Sequence, residues 1–105
     1  MGSSHERRRE VAFGAVLDIG GDVGALLVTT PEELAGAEVE LYDGAGRPVT
    51  HTEVHTRTVA GRTVHAGLFP SLREGEYALE PRPGAPRMPV RVRGGEVTTL
   101  HLPAS

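Results

Sequence analysis

Residues 68–80 read LFPSLREGEYALE, and spacing, turn chemistry and apolar positions agree there as nowhere else in the chain. A strand ends at Phe69-Pro70, since proline has no N–H to give a sheet ladder. Leu72 turns inward, Gly75 supplies a tight turn, and Tyr77 and Leu79 alternate on the strand that follows. The Tyr77 ring belongs in the core, with its hydroxyl donated to a backbone carbonyl.

On the C-terminal side, residues 82–86 form a proline-rich loop. Met88, Val90 and Val92 then alternate with Pro89, Arg91 and Arg93. Gly94-Gly95 turns the chain into a last strand, Glu96 to Leu102, with Leu100 and Leu102 facing in. On the N-terminal side, a strand from Arg62 to Phe69 is preceded by a loop at Val59-Ala60-Gly61 and by one long strand from Val49 to about Thr58. Asp43 to Gly46, DGAG, is a turn, and Ala37 to Tyr42 alternates Val39 and Leu41 with Glu38 and Glu40. Thr30-Pro31-Glu32-Glu33 has the form of a capping box, but Gly36 limits it to one helical turn. Val11 to Leu17 reads as a short apolar strand, the glycine pair between Asp18 and Asp22 as a hairpin loop, and Ala25 to Thr29 as the returning strand. The pattern predicts an all-β, single-domain antiparallel sandwich of about seven to eight short strands over residues 11–103, with residues 1–10 as a flexible arm.

Composition narrows the function classes. A chain of 105 residues is one domain, and without cysteine it has neither disulfides nor thiolate metal sites. All eleven basic residues are arginine and the formal net charge is −3, which argues against broad nucleic-acid binding. No window holds the roughly 18 apolar residues of a membrane span, and the polar opening SSHERRRE does not form a signal peptide. The expected location is the cytoplasm.

The half from Glu38 to Leu102, reading EVELYDGAGRPVT, GLFPSLREGEYAL and PVRVRGGEVTTLHL, resembles the carboxypeptidase regulatory-like and prealbumin-like (transthyretin-like) β-sandwich domains. With VAFGAVLDIGGDVGALLV, residues 11–28, it is also similar to a group of small uncharacterised single-domain proteins of high-GC Gram-positive bacteria, some of which carry phospholipase labels. The resemblance implies a prealbumin- or Ig-like sandwich acting as an accessory module. It brings no catalytic set. Ser71 lies between Pro70 and Leu72 rather than in a nucleophile elbow. The chain ends HLPAS, without the C-terminal tyrosine-arginine-glycine-serine of the transthyretin-related hydroxyisourate hydrolases.

The sharpest chemical candidate is His51-Thr52-Glu53-Val54-His55 with His65. On one strand His51, Glu53, His55 and Arg57 share a face. A three-residue loop at Val59-Ala60-Gly61 sets Thr58 opposite Arg62 and His55 opposite His65, with Val54, Val64, Ala66 and Leu68 sharing the core face. His55, His65 and Glu53, joined by His101 if its strand lies alongside, then form a ligand set suited to zinc or copper. His51 is too far along the strand to close on the same ion. A two-residue loop sends His65 to the other face, and the same residues suit an ordinary solvated sheet surface. Asp18 and Asp22 fit a glycine hairpin rather than a calcium or phosphate loop. Arg91 and Arg93, with Arg82 and Arg87, suit either anion docking or protection of an edge strand.

The expectation is a non-catalytic interaction or accessory module, acting through a sheet edge or face on an unknown protein partner or on itself, with no nucleic acid and no membrane. A histidine-dependent zinc or copper protein is the alternative, and a small hydrolase a third reading.

Overall fold

The computed structural model describes residues 7–104. Ten strands follow one another: β1 (Arg7–Ala12), β2 (Ala15–Gly20), β3 (Val23–Thr30), β4 (Glu38–Asp43), β5 (Pro48–Glu53), β6 (His55–Val59), β7 (Arg62–Arg73), β8 (Gly75–Glu80), β9 (Met88–Val92) and β10 (Val97–His101), with a 3-10 turn at Glu32–Leu34. The first sheet has the order β1-β2-β3-β7-β6 with β10 also on β3, and the second has the order β5-β4-β8-β9. The pairing of β10 with β3 is parallel and the others are antiparallel. Leu26, Val28 and Phe69 of the first sheet meet Val39, Leu41 and Leu79 of the second in one buried cluster. The protein is an all-β sandwich. No helix among the described residues is long and apolar enough to cross a membrane.

Stretch 68–80 is the corner between the sheets. β7 does not stop at Pro70 but runs on to Arg73. Leu26 pairs with Phe69 and Gly24 with Leu72, so Pro70 and Ser71 share the place opposite Ala25 in a bulge, where a missing N–H costs no ladder bond. Glu74 alone then links β7 to β8 in the other sheet. Leu72 is buried, and Tyr77 packs on the core and donates its hydroxyl to Arg73 O at 2.5 Å, as the sequence implies.

Ten strands arise from the expected eight because two runs are broken. Phe13 and Gly14 have φ of 49° and 81°, the two positive values of a type I′ loop, so Ala12 pairs with Ala15 and the run 11–17 folds into a hairpin. β2 pairs with β3 only through Gly20 and Val23, then leaves that edge to β10. Leu17 and Ile19 pack instead with Ala25, Leu68 and Val97, a second small core on the outer face of the first sheet. β1 starts at Arg7, inside the stretch expected as an arm; the rest of that arm, residues 1–6, lies outside the described residues.

The other break is at Val54. Its N–H donates to Ala37 O and its carbonyl accepts from Gly36 N–H, both at 2.8 Å, while its side chain is buried in the core. Held there, the chain leaves the second sheet as β5 and enters the first as β6.

Where β10 meets β3, the turn after β9 crosses the turn before β3. Gly95 N–H donates to Val23 O at 2.9 Å and Ala25 N–H to Glu96 O at 3.0 Å. A Cβ on Gly94 would lie 2.0 Å from Gly21 O, and one on Gly24 would lie 2.2 Å from Arg93 O, so this crossing admits only glycine. Asp22 sits in the hairpin loop as expected, with a carboxylate oxygen 3.2 Å from Arg73 Nη1.

Candidate functional site

The register of β6 on β7 decides the histidine set. Ala60 and Gly61, with φ of 51° and 76°, form a two-residue loop, and Val59 pairs with Arg62. His55 therefore pairs with Ala66 and His65 with Thr56. Paired residues share a face and successive residues alternate, so His55 and His65 lie on opposite faces of the sheet. Glu53 belongs to β5 in the other sheet, opposite Glu38. The expected ligand set of His55, His65 and Glu53 is thus corrected: one loop residue fewer, and a change of sheet at Val54, separate its members. His101 pairs with Thr29 on β3, with β7 between that strand and β6. His65 Nδ1 is hydrogen-bonded with Thr56 Oγ1 at 2.8 Å, His101 Nδ1 with Thr29 Oγ1 at 2.5 Å, and His51 Nε2 is 3.8 Å from Glu38 Oε2. Among the described residues no three His, Asp or Glu are gathered so as to hold a metal. Val54 lies in the core between the sheets while Leu68 faces the β1–β2 hairpin, so the expected common face is divided as well.

What the crossover at Val54 builds is an open side to the sandwich. On the opposite side β9 and β10 are tied by the Thr98 hydroxyl, which donates to Arg91 O at 3.5 Å. On the open side, among the described residues, no strand pairs with the outer edges of β5, of β6 or of the stretch of β7 beyond Gly67. A groove of about 310 Å³ runs between Val49–Thr52 of β5 and Leu68–Leu72 of β7. Both of its backbone edges are interrupted: β5 opens on Pro48 with a register shift against β4, and β7 carries Pro70 in its bulge.

β6 has neither proline nor bulge, and its five residues are all exposed. Val59 and Arg62 flank a two-residue loop and form a hydrogen-bonded pair, and such pairs alternate along an antiparallel ladder. Arg57 and His55 therefore bond to β7, while Thr56 and Thr58 direct their N–H and C=O groups away from it. These unpaired backbone groups are the donor and acceptor row onto which another strand can add.

The electrostatics of the two sheets differ. Residues 55–66 hold Arg57, Arg62, His55 and His65 and no carboxylate, in a chain whose net charge is −3. The Arg57 guanidinium lies over the Phe13 ring, 5.3 Å from its centroid, which ties the tip of the β1–β2 hairpin to β6. Across the second sheet Glu40 pairs with both His51 and Glu80, and Glu38 with Glu53, so its outer face is acidic. Arg87 stacks 3.5 Å above Tyr42, whose hydroxyl donates to Glu80 Oε1 at 3.1 Å, and Gly84 N–H donates to Glu80 Oε2 at 3.3 Å. Desolvation first, and Glu80 next, push the Tyr42 hydroxyl pKa up. Desolvation also raises that of Tyr77. Of the expected arginine stripe, Arg91 pairs with Glu76 across β8 and β9, and Arg87 closes the 81–86 loop over Tyr42. A smaller groove of about 210 Å³ lies at Leu34, Met88 and Leu102.

No protein-family model, no curated protein and no solved structure matches the chain. The β6 edge is absent from the sequence reading because residues 49–58 look like one strand. The available signal is Val54 itself, the lone aliphatic residue between Thr50 and Thr58.

Proposed function

We propose that this protein is a non-catalytic β-sandwich interaction module that binds through a sheet edge, in the manner expected of prealbumin-like and carboxypeptidase regulatory-like accessory domains. The observation that carries the reading is β6: an edge strand with all five residues exposed and, among the described residues, no proline, bulge or covering element on its free side. Natural sheets usually blunt such an edge, as this one does at Pro48, Pro70 and Pro89. Like β1 and β10 among the described strands, β6 keeps a proline-free backbone row, and its exposure at all five residues supports a use for it. On the same reading the protein works in the cytoplasm.

The test compares the wild-type chain with Thr58→Pro, which removes an outward N–H without breaking a bond to β7. Partners retained by immobilised wild type from a lysate of the source cells are expected to be lost with the variant at unchanged Tm, and a panel of ester and phosphoester substrates is expected to show no turnover. An identical set of retained proteins for both chains, or turnover that survives purification, contradicts the reading.

A further inference from the structure

The edge reading leaves the chemistry of the partner open, and the charges around β6 narrow it. We propose that β6 receives an extended acidic segment, carrying a carboxylate at every second position, as the next strand of the first sheet. His55, Arg57 and Val59 point to the outer face of that sheet, with Arg62 paired to Val59 on the same face. Thr56 and Thr58 alternate with them. A strand laid along the edge brings its side chains to about 5 Å, Cβ to Cβ, from those directly opposite. Its residues opposite His55 and Arg57 therefore meet an imidazole and a guanidinium, and those opposite the threonines meet small polar groups.

Arg57 is prepared for this. Its guanidinium lies over the Phe13 ring, 5.3 Å from the centroid, and a planar guanidinium fork matches a carboxylate. Among the described residues neither Arg57 nor Arg62 is in an ion pair. A second copy paired two-fold about Arg57 stacks like charges, which disfavours that register. Beyond His55 the chain turns away at Val54 toward Glu53, so the acidic stretch that fits is short.

The inference rests on the edge reading, and the test separates the two. The probes are a synthetic peptide alternating threonine with glutamate and its counterpart with lysine, titrated into the isotopically labelled full chain while amide shifts are followed. With the glutamate peptide, saturable shifts are expected at Thr56 and Thr58. The lysine peptide should bind at least about 10-fold more weakly, since like charges are disfavoured across an interface, and added salt should lower the glutamate peptide's affinity. Arg57→Glu should reverse the preference, and Thr58→Pro should remove binding of both peptides at unchanged Tm. Equal affinity of the two peptides at β6 overturns the acidic partner and leaves the edge reading standing. Shifts confined to β1 or β5, or none with either peptide, overturn both.

Discussion

Replacing Gly94 with alanine places a methyl group where the crossing of two turns has no space. The added Cβ would stand 2.0 Å from Gly21 O and 2.9 Å from Asp22 Cα, and both are backbone atoms that cannot rotate aside. Relief requires the turns to separate by on the order of 1 Å, an overpacking change that typically costs about 1–3 kcal/mol. Separation also stretches the two bonds that join the turns, from Gly95 N–H to Val23 O and from Ala25 N–H to Glu96 O, each contributing about 1 kcal/mol. A total near 3–5 kcal/mol lowers Tm by roughly 12 °C or more in a domain of this size. Gly61→Ala is the control, because nothing lies within 4 Å of its Cβ and the strain comes only from φ of 76°, at about 1–2 kcal/mol. Urea unfolding of the two variants beside the wild type gives the comparison. If Gly94→Ala is no less stable than Gly61→Ala, the close crossing, and with it the parallel placement of β10 on β3, is wrong. Gly24→Ala strikes the same crossing from the other side, 2.2 Å from Arg93 O, so the double variant should lose less than the sum of the singles.

Other perturbations reach the parts that shape the edge. Ala60→Gly relieves a non-glycine residue at φ of 51° and should stabilise by about 0.5–1 kcal/mol in urea unfolding; destabilisation would contradict the two-residue loop. Leu17→Ala empties the small outer core and should cost about 2–4 kcal/mol, with amide shifts centred on β1, β2 and Leu68 rather than on the core between the sheets. The Asp43 carboxylate accepts N–H bonds from Arg47 and Ala45 at 2.9 Å, and the bond from Arg47 is the main cause of its lowered pKa. A depressed folded pKa stabilises above the unfolded value of about 3.9 and ceases to do so as pH falls through the folded value. Wild type should thus exceed Asp43→Ala in stability by a constant margin from neutral pH to about 5, and the margin should shrink below about 4; a margin independent of pH in that acid range would show that the carboxylate charge plays no part.

The legible parts of the chain were those with a local chemical cause. Leu72 and Tyr77 fall where their spacing places them, although Gly75, expected as a turn, opens β8 opposite Val92 and the bend is at Glu74, and the alternation of Val39 and Leu41, or of Val90 and Val92, assigns their faces whatever the register. Both loops that define the hairpins at Phe13-Gly14 and Ala60-Gly61 put a non-glycine residue at positive φ, where sequence patterns look for asparagine, aspartate or glycine. Phe13-Gly14 therefore passed for the interior of a strand, and Val59-Ala60-Gly61 for a loop one residue longer. That single residue moved His65 to the face opposite His55, because side chains alternate with a period of two. The change of sheet at Val54 depends on hydrogen bonds to Gly36 and Ala37, which are remote in sequence. The parallel pairing of β10 with β3 is equally remote, spanning the length of the domain. The candidate edge was hidden for the same reason: an edge is defined by which strand is missing beside it, and no local pattern records that.

Amide hydrogen exchange across residues 55–59 of the full chain tests most directly whether β6 presents an open, correctly registered edge. Arg57 and Val59 should be protected by their bonds to β7, while Thr56 and Thr58 exchange nearly as fast as in an unstructured peptide. Protection of Thr56 and Thr58 with loss of protection at Arg57 and Val59, or uniform protection through all five residues, would contradict the account.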